Sequence, residues 1–249
     1  MKVTMLKGIS RTGKTTTAEK IIAELCRRGY TVGSVKDIHF EKFAIDTEGT
    51  NTYRHRAAGA QLVTARGKYE TDVLYTKQLD IDEILDHYTQ DFVILEGDSG
   101  ANCPVILTAH EISELDERMS DRVIAVSGVI SEKIDSYRGL PVINALTDAK
   151  TLVDLIEAKT PERMPNVNED CCSECGTDCR GLTARILSGD ASRDDCILKK
   201  GNVRLYIGDE EIPMVPFVEE MLGNVVSGAV RALKGYKDGE TITIKVEQK

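Results

Sequence analysis

The sequence predicts an α/β fold in which a mostly parallel sheet carries helices on both faces, and three observations point there. Short apolar runs rich in β-branched residues recur through the first 155 residues, bounded by turn residues. Helical patterns separate them, as crossovers between parallel strands require. A strand-like segment, a glycine-bounded loop and a helical pattern come first of all, within residues 2–28.

The first strand is expected over Lys2-Val-Thr-Met-Leu-Lys7, which alternates. A helix should run from Thr15 to Arg28, where Ala18, Ile21, Ile22, Leu25 and Cys26 fall at helical spacing. Thr31 to Asp37 reads as the second strand. After an irregular polar stretch, Gln61–Ala65 and Val73–Tyr75 read as a hairpin and Ile81–Tyr88 as a helix. Apolar runs at Phe92–Leu95, Pro104–Leu107 and Arg122–Val126 are three more strands, and Leu140–Asn144 leads into a helix from Ala149 to Glu157. Two prolines and little apolar content make residues 158–170 a linker after a first domain of residues 1–157. Residues 171–200 hold a cysteine cluster. Residues 201–249 read as a small β-β-α-β unit: Asn202–Ile207 and Glu211–Met214 as a hairpin, a helix striped by Phe217, Met221, Val225, Val226, Ala229 and Leu233, and a closing strand over Glu240–Val246.

Gly8-Ile-Ser-Arg-Thr-Gly13-Lys14-Thr15 carries the strongest chemical signal. Two glycines at this spacing, followed by lysine and threonine, describe a P-loop. Backbone N–H groups wrap phosphates, the lysine reaches the outer ones, and the hydroxyl ligates Mg²⁺. The helix that follows adds free N–H groups and a partial positive charge. A nucleoside triphosphate is therefore expected against Gly8, Arg11, Thr12, Gly13, Lys14, Thr15 and Thr16, with Thr15 on the metal.

Charge narrows the partners. The 249-residue chain has 32 Lys plus Arg against 41 Asp plus Glu, a net charge of -9. General nucleic-acid binding is not expected, because a phosphate backbone recruits basic surfaces. No apolar run approaches the roughly 20 residues of a membrane span, and the chain enters a strand without a signal-peptide core, so a cytoplasmic location is expected.

Five of the seven cysteines crowd together as Cys171-Cys172-Ser-Glu-Cys175-Gly-Thr-Asp-Cys179 and then Cys196. In a reducing cytosol clustered thiols read as metal ligands. Three from one loop and a fourth returning after a helix that stops at Gly189 can surround one centre. Structural zinc is the competing reading, although paired Cys-x2-Cys knuckles are its usual form. Cys-x2-Cys-Gly-x2-Cys, then Gly-Leu-x-Ala-x-Ile-x-x-Gly and Asp-Asp-Cys, resembles the four-cysteine [4Fe-4S] module of redox-complex B subunits and corrinoid iron–sulfur proteins. That resemblance implies Cys172, Cys175, Cys179 and Cys196 as cluster ligands, with Cys171 spare. Cys26, on the inner face of the first helix, and Cys103 read as packing.

Glu96 ends an apolar strand, where open α/β sheets bind ligands, and can hold Mg²⁺ through water. Asp37 ends the neighbouring run and can do the same or orient an attacking water. An exposed loop acid or a helix cap is the alternative for each. His39 reads equally as a surface or core histidine and as a functional one, and Arg54-His55-Arg56 as a solvated helix face rather than an anion patch. Asn144–Asp148, lacking a lysine, reads as a strand end followed by a helix cap.

Lys36-Asp37-Ile-His39, the segment Asp46-Thr-Glu-Gly49 to Tyr53-Arg54-His55-Arg56-Ala-Ala-Gly59-Ala60, and Val93-Ile-Leu-Glu96-Gly97 together resemble the molybdopterin-guanine dinucleotide biosynthesis protein B family over residues 1 to about 155. The chain departs from that family's pattern at Thr50-Asn51-Thr52, where Lys-Asp-Ser is usual, and at Asp98-Ser99, where an apolar residue and lysine follow the Glu-Gly. The resemblance implies a Mg²⁺-dependent GTP-binding accessory protein with slow GTPase activity, using Lys14, Asp37 and Glu96. Its implied partners are molybdopterin guanylyltransferase and molybdopterin, and it suggests a homodimer. Two other readings stand beside it: a nucleotide-switched iron–sulfur metallochaperone or electron carrier, and an adaptor whose cysteines hold zinc.

Overall fold

The computed structural model describes residues 1–39, 43–166, 173–196, 203–208, 210–212, 214, 216–237 and 242–244. Five parallel strands form the central sheet, ordered β2-β5-β1-β6-β7: β1 (Lys2–Lys7), β2 (Val32–Lys36), β5 (Phe92–Glu96), β6 (Val105–Thr108) and β7 (Val123–Ser127). Between them lie α1 (Lys14–Arg27), α2 (Asn51–Ala57), the antiparallel hairpin β3 (Leu62–Arg66) and β4 (Thr71–Tyr75), α3 (Ile81–Asp86) and α4 (Ile112–Asp116). A two-residue pair, β8 (Ser136–Tyr137) and β9 (Leu140–Pro141), and then α5 (Ala149–Lys159) complete this layer structure.

The two faces of the sheet explain why the strands are apolar almost throughout. Val3, Met5, Val93, Leu95, Val105 and Leu107 turn to one side, where Ile81 and Leu85 of α3 and Leu115 of α4 cover them. Leu6, Ile94 and Ile106 turn to the other, under Ala18, Ile21 and Leu25 of α1 and Leu152, Val153 and Ile156 of α5. Alternation along each strand thus feeds two cores, and neither face can be polar. Cys103 is buried on the first side, where desolvation pushes its thiol up to about 12, as suits packing. Cys26 is exposed, contrary to its expected inward placement. It lies about 100° round the helix from Leu25, beyond the buried stripe.

The proline-containing segment after α5 is described as far as Asn166, and this part is held against the first domain, while residues 167–170 of the expected linker lie outside the described residues. Glu162 bridges to Lys2, the Arg163 N–H donates to Met1 O at 3.0 Å, the Thr160 and Thr4 hydroxyls meet at 3.1 Å in a buried pair, and Met164 is buried. Backbone pairing to the edge of β1 and one apolar anchor hold it, which composition alone could not show. Met164 packs with Leu182 of α6 (Cys179–Ser188) and with Cys196, forming a small third core. Asn102, in the loop after β5, ties this core to the sheet: its Nδ2 donates to Pro165 O at 2.7 Å and to Cys179 O at 2.9 Å.

Farther on, β10 (Leu205–Ile207) pairs antiparallel with β11 (Glu210–Ile212), and α7 (Pro216–Arg231) follows. The expected closing strand at residues 240–246 lies mostly outside the described residues, and the described 242–244 belong to no regular element. No helix among the described residues is long and apolar enough to cross a membrane.

Arg28 links α1 to α5 by ion-pairing with Glu24 at 2.8 Å, Asp154 at 2.7 Å and Glu157. Hydrogen bonds from Arg27 and Arg28 hold the Glu24 carboxyl down from 4.5 to about 2. A depressed carboxylate contributes stability in full above its ordinary value and loses it as pH falls through the native one. Thermal melts of the wild type should therefore decline between pH 4.5 and about 2, and Glu24→Gln should flatten that part of the profile.

Candidate functional site

Between β1 and α1 the chain makes the phosphate loop, and its shape is dictated by neighbours 100 residues away. A Cβ on Gly8 would lie 2.2 Å from Thr108 O and 2.4 Å from Thr108 Oγ1, so only glycine lets the loop leave β1 this close to β6. Gly13, with φ 91°, starts α1 from a left-handed conformation that disfavours side chains. Arg11 is also left-handed, φ 65°, and the His110 Nε2–H donates to its carbonyl at 3.1 Å. Thr12, expected among the ligand contacts, is fully buried. Its hydroxyl donates to Ile9 O at 2.9 Å, which leaves it to accept from Thr108 at 2.7 Å, and the Val129 N–H donates to Thr12 O at 3.1 Å. Thr12 therefore braces the loop from inside, and its side chain points away from any ligand.

Above the loop opens a cleft of about 780 Å³. Gly8, Arg11, Gly13, Lys14, Thr15, Thr16, Asp37 and Glu96 all line it, so the structure brings together every other residue of the expected phosphate site. Lys14 Nζ donates to Gly8 O at 2.9 Å and to Ile9 O, carbonyls of the loop itself. Desolvation, with the charges of Lys36 and Arg118, draws its pKa below the ordinary lysine value against the opposing pull of Glu96. Glu96 Oε1 accepts from Thr15 Oγ1 at 2.6 Å and from Lys36 Nζ at 2.9 Å. Burial works to raise this carboxyl, but those two hydrogen bonds and the charges of Lys36 and Lys14 outweigh it and hold it below the usual range. Asp37 is neighbour to Glu96 through the parallel ladder, its N–H donating to Glu96 O at 2.8 Å. Its carboxylate stands 3.5 Å from the exposed His39, which lines the cleft too. Gly97, φ 123°, permits this crossing: a Cβ there would sit 2.7 Å from Asp37 Cβ.

Four charged lining residues were given no role in the site from sequence: Lys7, Lys36, Asp98 and Arg118. Lys7 and Lys36 end β1 and β2, so the strand-end argument that found Asp37 and Glu96 applies to them equally. Asp98 pairs with Lys7 at 2.6 Å. Arg118 has no local signal, because the crossover after β6 delivers it. With these four the lining carries five Lys or Arg against three acids, a positive spot on a chain of net charge -9. Such a cleft attracts a small anion.

Other expected groups lie elsewhere. Arg54, His55 and Arg56 belong to α2, outside the cleft lining, with Arg56 stacked on Tyr53 at 5.4 Å. Asp148 caps α5, accepting from the Thr151 N–H at 3.1 Å. Of the four expected cluster ligands, Cys172 lies outside the described residues, as does Cys171. Cys175 and Cys196 meet in the third core, Cys179 is buried at the head of α6, and the Cys175 thiol donates to Thr177 O at 3.3 Å. Among the described residues no three His, Cys, Asp or Glu side chains converge to hold a metal, so [4Fe-4S] and zinc rest on the cysteine spacing alone.

Comparison with known proteins places this geometry. The family model "Molybdopterin guanine dinucleotide synthesis protein B" matches residues 3–129. A Methanocaldococcus jannaschii protein described as a molybdopterin-guanine dinucleotide biosynthesis adapter is 28% identical over 254 residues, covering 99% of this chain and 98% of that one. A Bacillus subtilis protein of the same description is 26% identical over 158 residues, 62% of this chain and 90% of its own length. The crystal structure of B. subtilis MobB superposes with a TM-score of 0.55 at 24% identity, covering 66% of this chain and all of the other, which shows a shared fold. The match to the Methanocaldococcus jannaschii protein thus extends well beyond residues 3–129.

Gly128 tests the brace. With φ 76° and Thr12 O only 2.1 Å from its virtual Cβ, Gly128→Ala must push the loop aside. The variant should lose more than about 1 kcal/mol of stability in urea denaturation.

Proposed function

The chain belongs to the molybdopterin guanine dinucleotide synthesis protein B family, and from that membership we propose that it is a GTP-binding adapter in molybdopterin-guanine dinucleotide biosynthesis. One observation carries the nucleotide part: at the head of the glycine loop, beside Lys14, the Thr15 hydroxyl and the Glu96 carboxylate share a hydrogen bond of 2.6 Å facing the cleft. A side-chain hydroxyl and an acid at that place form the oxygen set that a phosphate-bound Mg²⁺ requires.

The donor set fits the metal. Lys36 Nζ lies 2.9 Å from Glu96 Oε1 and 3.5 Å from Thr15 Oγ1, so an ammonium already touches both oxygens where a cation would be held. Thr15 and Glu96 are the residues to hold Mg²⁺, Glu96 through water. Bound there, the ion would neutralise charge on the outer phosphates. Loop N–H groups and the first turn of α1 receive the phosphates, and Lys14 exchanges its loop carbonyls for phosphate oxygens, a stronger charge-assisted contact. Asp37, at the open end beside Glu96, orients a water for slow hydrolysis.

The adapter part rests on what the relatives are described as. The chain acts on molybdopterin guanylyltransferase, presenting or sensing GTP, and the cysteine segment with β10, β11 and α7 forms an appended unit. The metallochaperone and zinc-adaptor readings gain nothing from the described cysteines and are not carried forward.

Titration calorimetry with Mg²⁺ should give binding of GTP in preference to ATP, lost in Lys14→Ala. Glu96→Gln should keep nucleotide binding while weakening its Mg²⁺ dependence about tenfold or more. Addition of the chain and GTP to molybdopterin guanylyltransferase should raise cofactor formation, and no effect there with intact GTP binding would remove the adapter role while sparing the nucleotide site.

A further inference from the structure

Arg118 follows α4 in the crossover from β6 to β7, and its side chain lines the same cleft as Gly8, Ile9 and Lys14. Strand β6 flanks β1 on the side away from β5 and β2, so Arg118 comes to the loop from the side opposite Lys36 and Glu96. Its guanidinium is held by one nitrogen: Nη1 donates to Glu114 O at 3.1 Å and to Glu117 Oε2 at 2.8 Å. Among the described residues Nε and Nη2 have no hydrogen-bond partner. Glu117 is 69% exposed, so water screens that pair and leaves the arginine's charge largely uncompensated. Arg118 and Lys14 line the same cleft, and the guanidinium's charge adds to the forces that lower the lysine's pKa.

We propose that Arg118 reads the terminal phosphate of the bound nucleoside triphosphate, its unpaired edge closing on that group from the β6 side and making the cleft favour triphosphate over diphosphate. The inference rests on the nucleotide-binding reading above. Planar donors in a fixed fork match phosphate oxygens two at a time, and the Nη1 anchor presets the fork before ligand arrives. Lys14 faces the β- and γ-phosphates together, so a second cation on the outer side is what distinguishes the γ-phosphate. An adapter that must respond to GTP and not GDP needs such a group.

The test is calorimetric titration of the full chain with Mg²⁺ and either a non-hydrolysable GTP analogue or GDP, for wild type, Arg118→Ala and Arg118→Lys. Arg118→Ala should weaken the triphosphate analogue about tenfold or more and GDP by less than about twofold. Arg118→Lys, which keeps the charge and loses the fork, should show about a threefold loss confined to the analogue. Thermal melts check folding. If the alanine variant fails to fold, the lysine variant decides alone, since a merely structural arginine would shift both ligands equally. Equal losses for the two ligands, or none, overturn the inference while the nucleotide site stands. A wild type that binds neither nucleotide overturns both.

Discussion

The phosphate loop keeps its shape because two buried hydroxyls meet. Thr12 and Thr108 share a 2.7 Å hydrogen bond at the point where Gly8 and Gly128 allow backbone and strand ends to touch. Neither glycine tolerates a side chain there, and Thr12 spends its single proton on Ile9 O, so the loop's carbonyls and N–H groups have one consistent arrangement. The rest of the site depends on that arrangement. Lys14 rests on the Gly8 and Ile9 carbonyls, and Thr15 opens α1 at the distance needed to reach Glu96. Preorganisation of this kind means that the ligand meets donors already aimed.

The cleft also shows how an acidic protein makes an anion site. Among the described residues each cation in it except Arg11 is held by an acid or a loop carbonyl: Lys7 by Asp98, Lys36 by Glu96, Lys14 by the loop and Arg118, through Nη1 alone, by Glu117. These pairings hold the charged groups in place around the cleft. The excess over the acids then supplies the attraction, locally, against a net charge of -9.

Much of this was legible in the residues. Glycine spacing and the strand-loop-helix order located the loop, because that motif is contiguous and its physics local. Apolar runs located the five sheet strands to within a residue or two, since burial on both faces leaves nothing else for them to be. Glu96 and Asp37 followed from the strand-end rule, and the same rule passed over Lys36 and Lys7 only because charges next to a motif look like ordinary surface. The inward brace of Thr12 and the arrival of Arg118 were not legible. Both depend on β6 standing beside β1, and strand order is set by pairings that no short window contains. The anchoring of the segment after α5 was hidden for a related reason: Glu162 pairs with Lys2 at the other end of the chain, and Met164 is a single residue whose partners, Leu182 and Cys196, belong to the cysteine segment.

Strand order has a consequence for synthesis. The phosphate loop precedes its supports along the chain, because β5 at residues 92–96, Thr108 and Gly128 all come later. Until the chain through Gly128 has been added, the glycine loop lacks its walls and brace. Shaping of the pocket therefore waits on pairings between distant parts of the chain, the kind of contact that loop-closure entropy makes slow to form.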